Sequence, residues 1–225
     1  MTQLCQLAGT WTGDHPPSGA LIEQKLDGWR AIWTRNLEGL PRLFTRNGVL
    51  IEGVGHIQHR LEAMERAAGQ PMVFDGEFQV GTTLDETKSW CERGYKQGGE
   101  AGTLYLFDCM SYEEWKAGGS DTSLIDRKTR LIGLWNSGEK LLSEDWDWRP
   151  GSRGKDADTH PVRVLPHEMA FERADVVRAA MRVWNWGGEG VVVKDQSSPY
   201  QRNRSGDWRK VGRPWQDKLG WKELT

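Results

Sequence analysis

The chain has 225 residues, 37% hydrophobic and 28% charged, with a net charge of -2 and three cysteines. That length supports one sizeable core or one large domain with a small appendage, and the near-neutral charge gives no global basic field for nucleic acid. No apolar run approaches a membrane span, no basic-then-apolar leader marks secretion, and Cys5, Cys91 and Cys109 are too scattered for a disulfide framework or a zinc pattern.

Residues 20–34 and 42–46 read as paired strands joined through NLEGLP. The first holds an anomaly. In EQKLDGWRAIW (23–33), Lys25, Asp27, Gly28 and Arg30 stand among Leu26, Ala31 and Trp33. Glycine weakens strand interiors, and charges usually stay at the rim. A solvated hairpin turning at Asp27-Gly28 is one reading; a lysine placed for chemistry is the other. HIQHRLEAMERAAG carries Ile57, Leu61, Met64 and Ala68 at helical spacing, with Gly69 as its stop. Strands follow at 72–80 (MVFDGEFQV) and 103–110 (TLYLFDCM), with a loop or short helix between them.

DRKTRLIGLWN reads as a second helix, and residues 143–160 as an exposed, irregular, mobile insertion. After the short strand VRVLP, residues 171–186 give the longest helical pattern, with Val177, Ala180, Met181 and Trp184 on one stripe. Gly187-Gly188 ends it, and EGVVVKD follows as a buried strand edged by charge. Strands and helices mix without a regular βαβ rhythm, which predicts an α+β fold with largely antiparallel sheets. From Gln196 onward there are seven Lys or Arg against three Asp or Glu, a local +4 that leaves -6 upstream. Such a tail is either a phosphate-binding surface or a solvated face.

Charges recur on or beside the apolar strands: Lys25 and Asp27, Asp75 and Glu77, Asp108, Glu189 and Lys194, then Arg209 and Lys210. Buried charges are costly unless paired or bound. Lysines and carboxylates at strand edges suit a polyanion held with a divalent metal. Neither GxxxxGK[ST] nor GxGxxG is present, so a nucleotide would be gripped by side chains on strands. The five histidines, His15, His56, His59, His160 and His167, show no metal or triad spacing and are assigned to surface or structural roles.

The pattern K-x-D-G with Arg30 two positions on resembles the nucleophile motif of covalent nucleotidyltransferases: ATP-dependent DNA ligases, RNA ligases and mRNA capping enzymes. Alone it would arise by chance in about one chain in twenty of this length. Its companions follow in the family's order: TRNG at 45–48, FDGEF at 74–78, LYLFDC at 104–109, EGVVVKD at 189–195 and DWRKV at 207–211. The resemblance covers residues 23–211 and is strongest to small ATP-dependent DNA ligases of viral or bacterial type. It implies a single adenylation (nucleotidyltransferase) domain over 1–225, ATP-grasp-like, with largely antiparallel sheets flanked by helices.

By this resemblance Lys25 attacks the α-phosphorus of ATP, and the AMP it takes up passes to the 5′-phosphate of a nick before the 3′-hydroxyl seals the strand. An amine attacks only when neutral, which is why the chemistry needs a lysine flanked by cations and Mg²⁺ or Mn²⁺. Glu23 matches the adenine-contacting position, and Arg30 and Arg46 match positions meeting ribose or the nick phosphate. Glu77 matches the ribose-side carboxylate, which is also a metal candidate, and Phe107 the ring stacking on adenine. Glu189 matches the metal-associated carboxylate, and Lys194 and Lys210 match lysines on the α-phosphate. Plainer readings stand beside these: Glu23 and Arg30 as cross-strand partners, Phe107 as core, Lys194 and Lys210 as surface lysines.

Two departures from the family bear on the reading. The closing motif is ordinarily Trp-x-Lys-x-Lys, whereas Gly212 holds the second lysine's place here, with Arg209 or Arg213 as possible substitutes by position. The chain also ends about fifteen residues past that motif, without room for the OB-fold barrel that suits ligases to nucleic acid. A natural minimal enzyme is expected over a fragment. The expected partner is nicked double-stranded DNA, with no membrane association, a monomeric state, and a cytoplasmic setting in a bacterium or an infected host. An RNA or RNA/DNA-hybrid nick sealer and a non-catalytic nick-binding fragment remain the alternatives.

Overall fold

A computed structural model describes residues 4–14, 19–94, 96, 100–145 and 160–221. In chain order its strands are β1 (Leu7–Thr10), β2 (Ala20–Gln24), β3 (Trp29–Arg35), β4 (Pro41–Thr45), β5 (Met72–Gln79) and β6 (Thr103–Ser111). There follow β7 (Gly119–Ser120), β8 (Val162–Val164), β9 (His167–Ala170), β10 (Val191–Asp195), β11 (Tyr200–Gln201) and β12 (Arg204–Val211). The α-helices are α1 (Gly55–Ala68), α2 (Leu84–Ser89), α3 (Tyr112–Lys116), α4 (Leu124–Asp145) and α5 (Arg173–Asn185). Among the described pairings only β1 with β12 and β6 with β8 are parallel, so the fold is α+β with mostly antiparallel sheets.

The chain forms two compact units that alternate along the sequence. The first comprises Met1–Asp27, Glu114–Arg127 and Leu165–Thr225, and holds a sheet of order β1-β12-β10-β2-β9. Helix α5 buries Val176, Ala179, Ala180, Val183 and Trp184, a stripe at three-and-four spacing, against Ala20, Ile22, Val191, Val193 and Val211 of that sheet. The strand residues alternate as they must to face one helix.

The second unit comprises Gly28–Glu113 and Lys128–Val164, with a sheet of order β4-β3-β5-β6-β8. Its core gathers Ala31, Trp33, Phe74, Phe78 and Leu106 with Ile57, Leu61 and Met64 of α1. Gly69 ends α1 in the left-handed conformation at φ +65°, donating its N–H to Arg66.

The continuous strand expected over 20–34 is two strands. β2 stops at Gln24, β3 starts at Trp29, and the two belong to different sheets. Gly28 begins the second unit, and its backbone lies so close to β5 that a Cβ would overlap the carbonyl oxygen of Phe78 and come within 2.7 Å of Gln79 Cγ. Only glycine admits that approach. The helix expected at 126–136 runs further, from Leu124 to Asp145, so residues 143–145 of the expected insertion are helical. Residues 146–159 of that insertion lie outside the described residues. Among the described residues no helix is long and apolar enough to cross a membrane.

Replacing Gly28 by Ala is expected to destabilise the protein by about 1–3 kcal/mol through overpacking, read as a lowered urea midpoint. The cysteines offer a separate check. Cys5 and Cys109 are buried, and burial, with the neighbouring Glu92 carboxylate adding to it, pushes the partly buried Cys91 thiol up to about 11. Native protein should therefore alkylate slowly at pH 8, with a rate that climbs about tenfold per pH unit as the thiolate forms.

Candidate active site

The first unit assembles a lysine-bearing sheet face. Val192 on β10 stands opposite Glu23 of β2 on one side and Lys210 of β12 on the other, while Lys194 stands opposite Trp208. Side chains alternate across a sheet. Glu23, Lys194, Trp208 and Lys210 therefore share the face turned away from α5, and Lys25 continues it two residues beyond Glu23. The Lys25 backbone N–H donates to the Gly190 carbonyl at 2.8 Å, and its ammonium donates to the Glu189 carboxylate. Both side chains of this pair stay about a third exposed, at 29% and 30%.

The Glu-Gly step that supplies Glu189 has a steric basis. Gly190 holds φ at +135°, and a Cβ there would fall on the Val211 carbonyl. Glycine thus lets β10 begin against β12 while the residue before it meets Lys25.

Burial increases along the face away from Lys25. Lys210 is exposed, whereas Glu23 and Lys194 are each only 2% exposed. The Lys194 ammonium pairs with the Glu23 carboxylate at 2.5 Å and lies 4.0 Å from the centre of the Trp208 ring. Of the two arginines that might replace the second lysine at Gly212, Arg209 faces the other way. It stands opposite Val193 and donates to the Gly206 carbonyl at 2.7 Å and to Thr12 Oγ1 at 3.2 Å. Arg213 is exposed and opens a short 3-10 turn.

The second unit holds the remaining candidates. Arg30, opposite Glu77 in the β3–β5 register, forks onto the fully buried Asp75 carboxylate at 2.5 and 2.6 Å. Such a two-pronged, charge-assisted contact fixes the guanidinium plane. Its other side covers the Phe107 ring, 4.5 Å from the centroid. Phe107 is nearly buried because the β5–β6 register shifts there: Asp75 meets Asp108, Gly76 meets Leu106, and Phe107 is the bulged residue. Glu77 is half-buried, and Arg46 is exposed in the turn after β4.

His56 contacts the Gly102 carbonyl at 3.1 Å, and exposed His160 lies beside Glu139. His15 lies outside the described residues. Among the described residues no group of three or more His, Cys, Asp or Glu side chains is arranged to hold a metal ion by itself.

Within the first unit the fold thus gathers Glu23, Lys25, Glu189, Lys194 and Lys210, and within the second Arg30, Glu77 and Phe107. Two partners escaped the sequence reading. Asp75, which holds Arg30, was legible only as a residue at two-residue spacing from Glu77, hence on the same strand face. Trp208 was visible as the tryptophan of the closing motif, without any sign that its ring would cover Lys194.

A family model described as the ATP dependent DNA ligase domain matches residues 10–211. The probable DNA ligase of Kineococcus radiotolerans is 26% identical over 194 residues, covering 84% of this chain and 33% of the relative. The chain thus spans about a third of that curated relative's length. Among solved structures, Pmar-Lig_PreS3 is similar at a TM-score of 0.71 and 22% identity, over 94% of this chain and 46% of the other. The ATP-dependent DNA ligase of bacteriophage T7, in complex with ATP, is similar at 0.70 and 12% identity, over 93% and 68%. At these identities the structural likeness carries the fold.

The buried pair makes a stability prediction. Lys194→Met leaves the Glu23 carboxylate buried beside an apolar chain and is expected to cost about 3–5 kcal/mol. The double variant Glu23→Gln/Lys194→Met should recover most of that loss, as urea unfolding of the three proteins will measure.

Proposed function

Because the chain belongs to the ATP-dependent DNA ligase domain family, matched over residues 10–211, we propose that it seals nicks in duplex DNA through a lysine–AMP intermediate on Lys25. The observation that carries this reading is the Lys25 ammonium on Glu189, at the open end of a sheet face that also bears Lys210. In the first step the Lys25 nitrogen attacks the α-phosphorus of ATP. An N–P bond forms, the bond to the bridging oxygen breaks, and pyrophosphate leaves. In the second, an oxygen of the DNA 5′-phosphate displaces the amine, and AMP moves to the DNA end. In the third, the 3′-hydroxyl oxygen attacks that 5′-phosphorus and AMP departs.

The residues contribute in distinct ways. The Glu189 contact and the bond from the Lys25 N–H to Gly190 hold the amine in one orientation, which favours in-line attack. The amine must give up its proton to attack, and the Glu189 carboxylate is the acceptor already touching it. Exposed Lys210 meets the phosphate charge. A divalent cation, Mg²⁺ or Mn²⁺, would neutralise phosphate oxygens; part-exposed Glu189 suits a cation held by one carboxylate, phosphate and water. Arg30, Arg46, Glu77 and Phe107 are assigned to the nucleotide, the nick and, for Glu77, the metal on the order of the motifs along the chain.

The test is a sealing assay with ATP and Mg²⁺ on a 5′-labelled nicked DNA duplex, resolved on a denaturing gel. Joined product is expected, and Lys25→Ala should abolish both joining and covalent uptake of label from α-labelled ATP. Label on the Lys25→Ala protein would overturn the nucleophile assignment. Joining confined to RNA-containing nicks would replace the DNA reading with an RNA one. Binding to nicked duplex should also fall steeply with salt, since phosphate contacts release counterions; an isotherm unchanged between low and moderate salt would refute a phosphate-based grip.

A further inference from the structure

Trp186 is the one exposed tryptophan among the described residues, at 72% exposure, and it stands three residues before Glu189. Single exposed apolar side chains are common and ordinarily need no explanation. The turn that carries this one sets it apart. Arg182, one helical turn back, holds its guanidinium 5.8 Å from the centre of the indole and pairs with the exposed Glu168 carboxylate. The backbone behind the ring is fixed. The Trp186 N–H donates to the Arg182 carbonyl at 3.3 Å, the Gly188 N–H to the Val183 carbonyl at 2.9 Å, and the buried Trp184 indole to the Glu189 carbonyl at 3.2 Å. Gly188 packs so closely that a Cβ would overlap Val183 Cγ1 and come within 3.4 Å of the Gln24 side-chain nitrogen. Gln24 immediately precedes Lys25. One tryptophan of this turn thus anchors it from within, while the other faces solvent beside the residues that hold the nucleophile.

We propose that Trp186 and Arg182 form a contact for the nucleotides flanking the nick, with sugar or base against the indole and the adjoining phosphate on Arg182. Trp186 and Glu189 are separated by at most about 11 Å of backbone, a length that one DNA strand covers in about three nucleotides. A nick whose 5′-phosphate reaches Lys25 therefore brings its flanking nucleotides to the distance of the ring. An indole combines an apolar face with a polar N–H, and a base stacks on it whatever the sequence, as an enzyme that seals any nick requires. The Arg182–Glu168 pair lies at the surface, with side chains 39% and 59% exposed, and pairs of that kind add little stability. The guanidinium can exchange its carboxylate for a phosphate at small cost. Such a contact positions DNA without reading its sequence.

The inference rests on the proposed nick-sealing reaction, and two readouts on the full chain separate them. One is the anisotropy of a fluorescein-labelled nicked duplex titrated at low salt without ATP. The other is single-turnover uptake of label from α-labelled ATP without DNA. Trp186→Ala should weaken duplex binding about fivefold or more, with label uptake within about twofold of the unsubstituted protein. Trp186→Phe, which keeps an aromatic face, should recover most of the affinity. Arg182→Gln should weaken binding and lower the salt slope by about one. Unchanged affinity in Trp186→Ala overturns the inference and turns the ring over to a protein partner. An equal fall in binding and label uptake also overturns it, since the ring would then only support the Glu189 turn. Unsubstituted protein that takes label but does not hold nicked duplex overturns it while the nucleotidyl transfer stands. Unsubstituted protein that binds duplex through Trp186 but takes no label keeps the contact and removes the sealing reaction.

Discussion

A carboxylate and an ammonium enclosed together behind Lys25 set the terms for the first unit. Ions of this kind are stable in a protein interior only as a closed pair, because each alone carries a desolvation penalty of several kcal/mol. Glu23 and Lys194 come from β2 and β10, adjacent antiparallel strands, and Trp208 from β12 covers the ammonium. The pair therefore ties three strands to one register. A slip by one residue would turn every side chain to the other face, exposing Val191 and Val193 and burying lone charges. The apolar packing on α5 and the ionic packing on the opposite face support the same alignment.

The second unit solves a similar problem with a different device. Asp75 is fully buried on β5 and is met by the Arg30 fork from β3, while the guanidinium rests on Phe107. The β6 bulge supplies the ring without breaking the strand's pairing on either side. In both units a charge that would be costly alone is held by an opposite charge and an aromatic face. The groups proposed for catalysis, Lys25, Glu189 and Lys210, are the more solvent-accessible members of the same arrangement. That division suits an enzyme whose rigid interior orients a few accessible groups.

Two glycines make these arrangements sterically possible. Gly28 lets the chain pass close to the Phe78 carbonyl of β5 after it leaves β2, and Gly190 lets β10 start against β12 just after Glu189. The K-x-D-G and E-G patterns thus combine a charged residue with the backbone freedom that its neighbour requires. The glycine that made residues 23–33 an odd strand marks the change from one sheet to the next.

Local pattern was enough to reveal much of this protein. The stripe of α5, the stop of α1 at Gly69 and the buried strand at Val191 to Asp195 follow from periodicity and glycine placement, which depend on near neighbours alone. The ordered motifs from Lys25 to Lys210 pointed to the ATP-dependent DNA ligase family, because that succession along the chain is a family trait, and the family match over residues 10–211 agrees. The four-residue strands β1 and β9 were not legible, since segments so short carry no period and exist through the partners they pair with. The division of 20–34 between two sheets, the bulge that presents Phe107 and the fork of Arg30 on Asp75 were decided by tertiary structure. So was the state of Lys194. A sequence records that a lysine follows three valines; whether its charge meets solvent or a buried carboxylate depends on strands more than 160 residues apart in the chain.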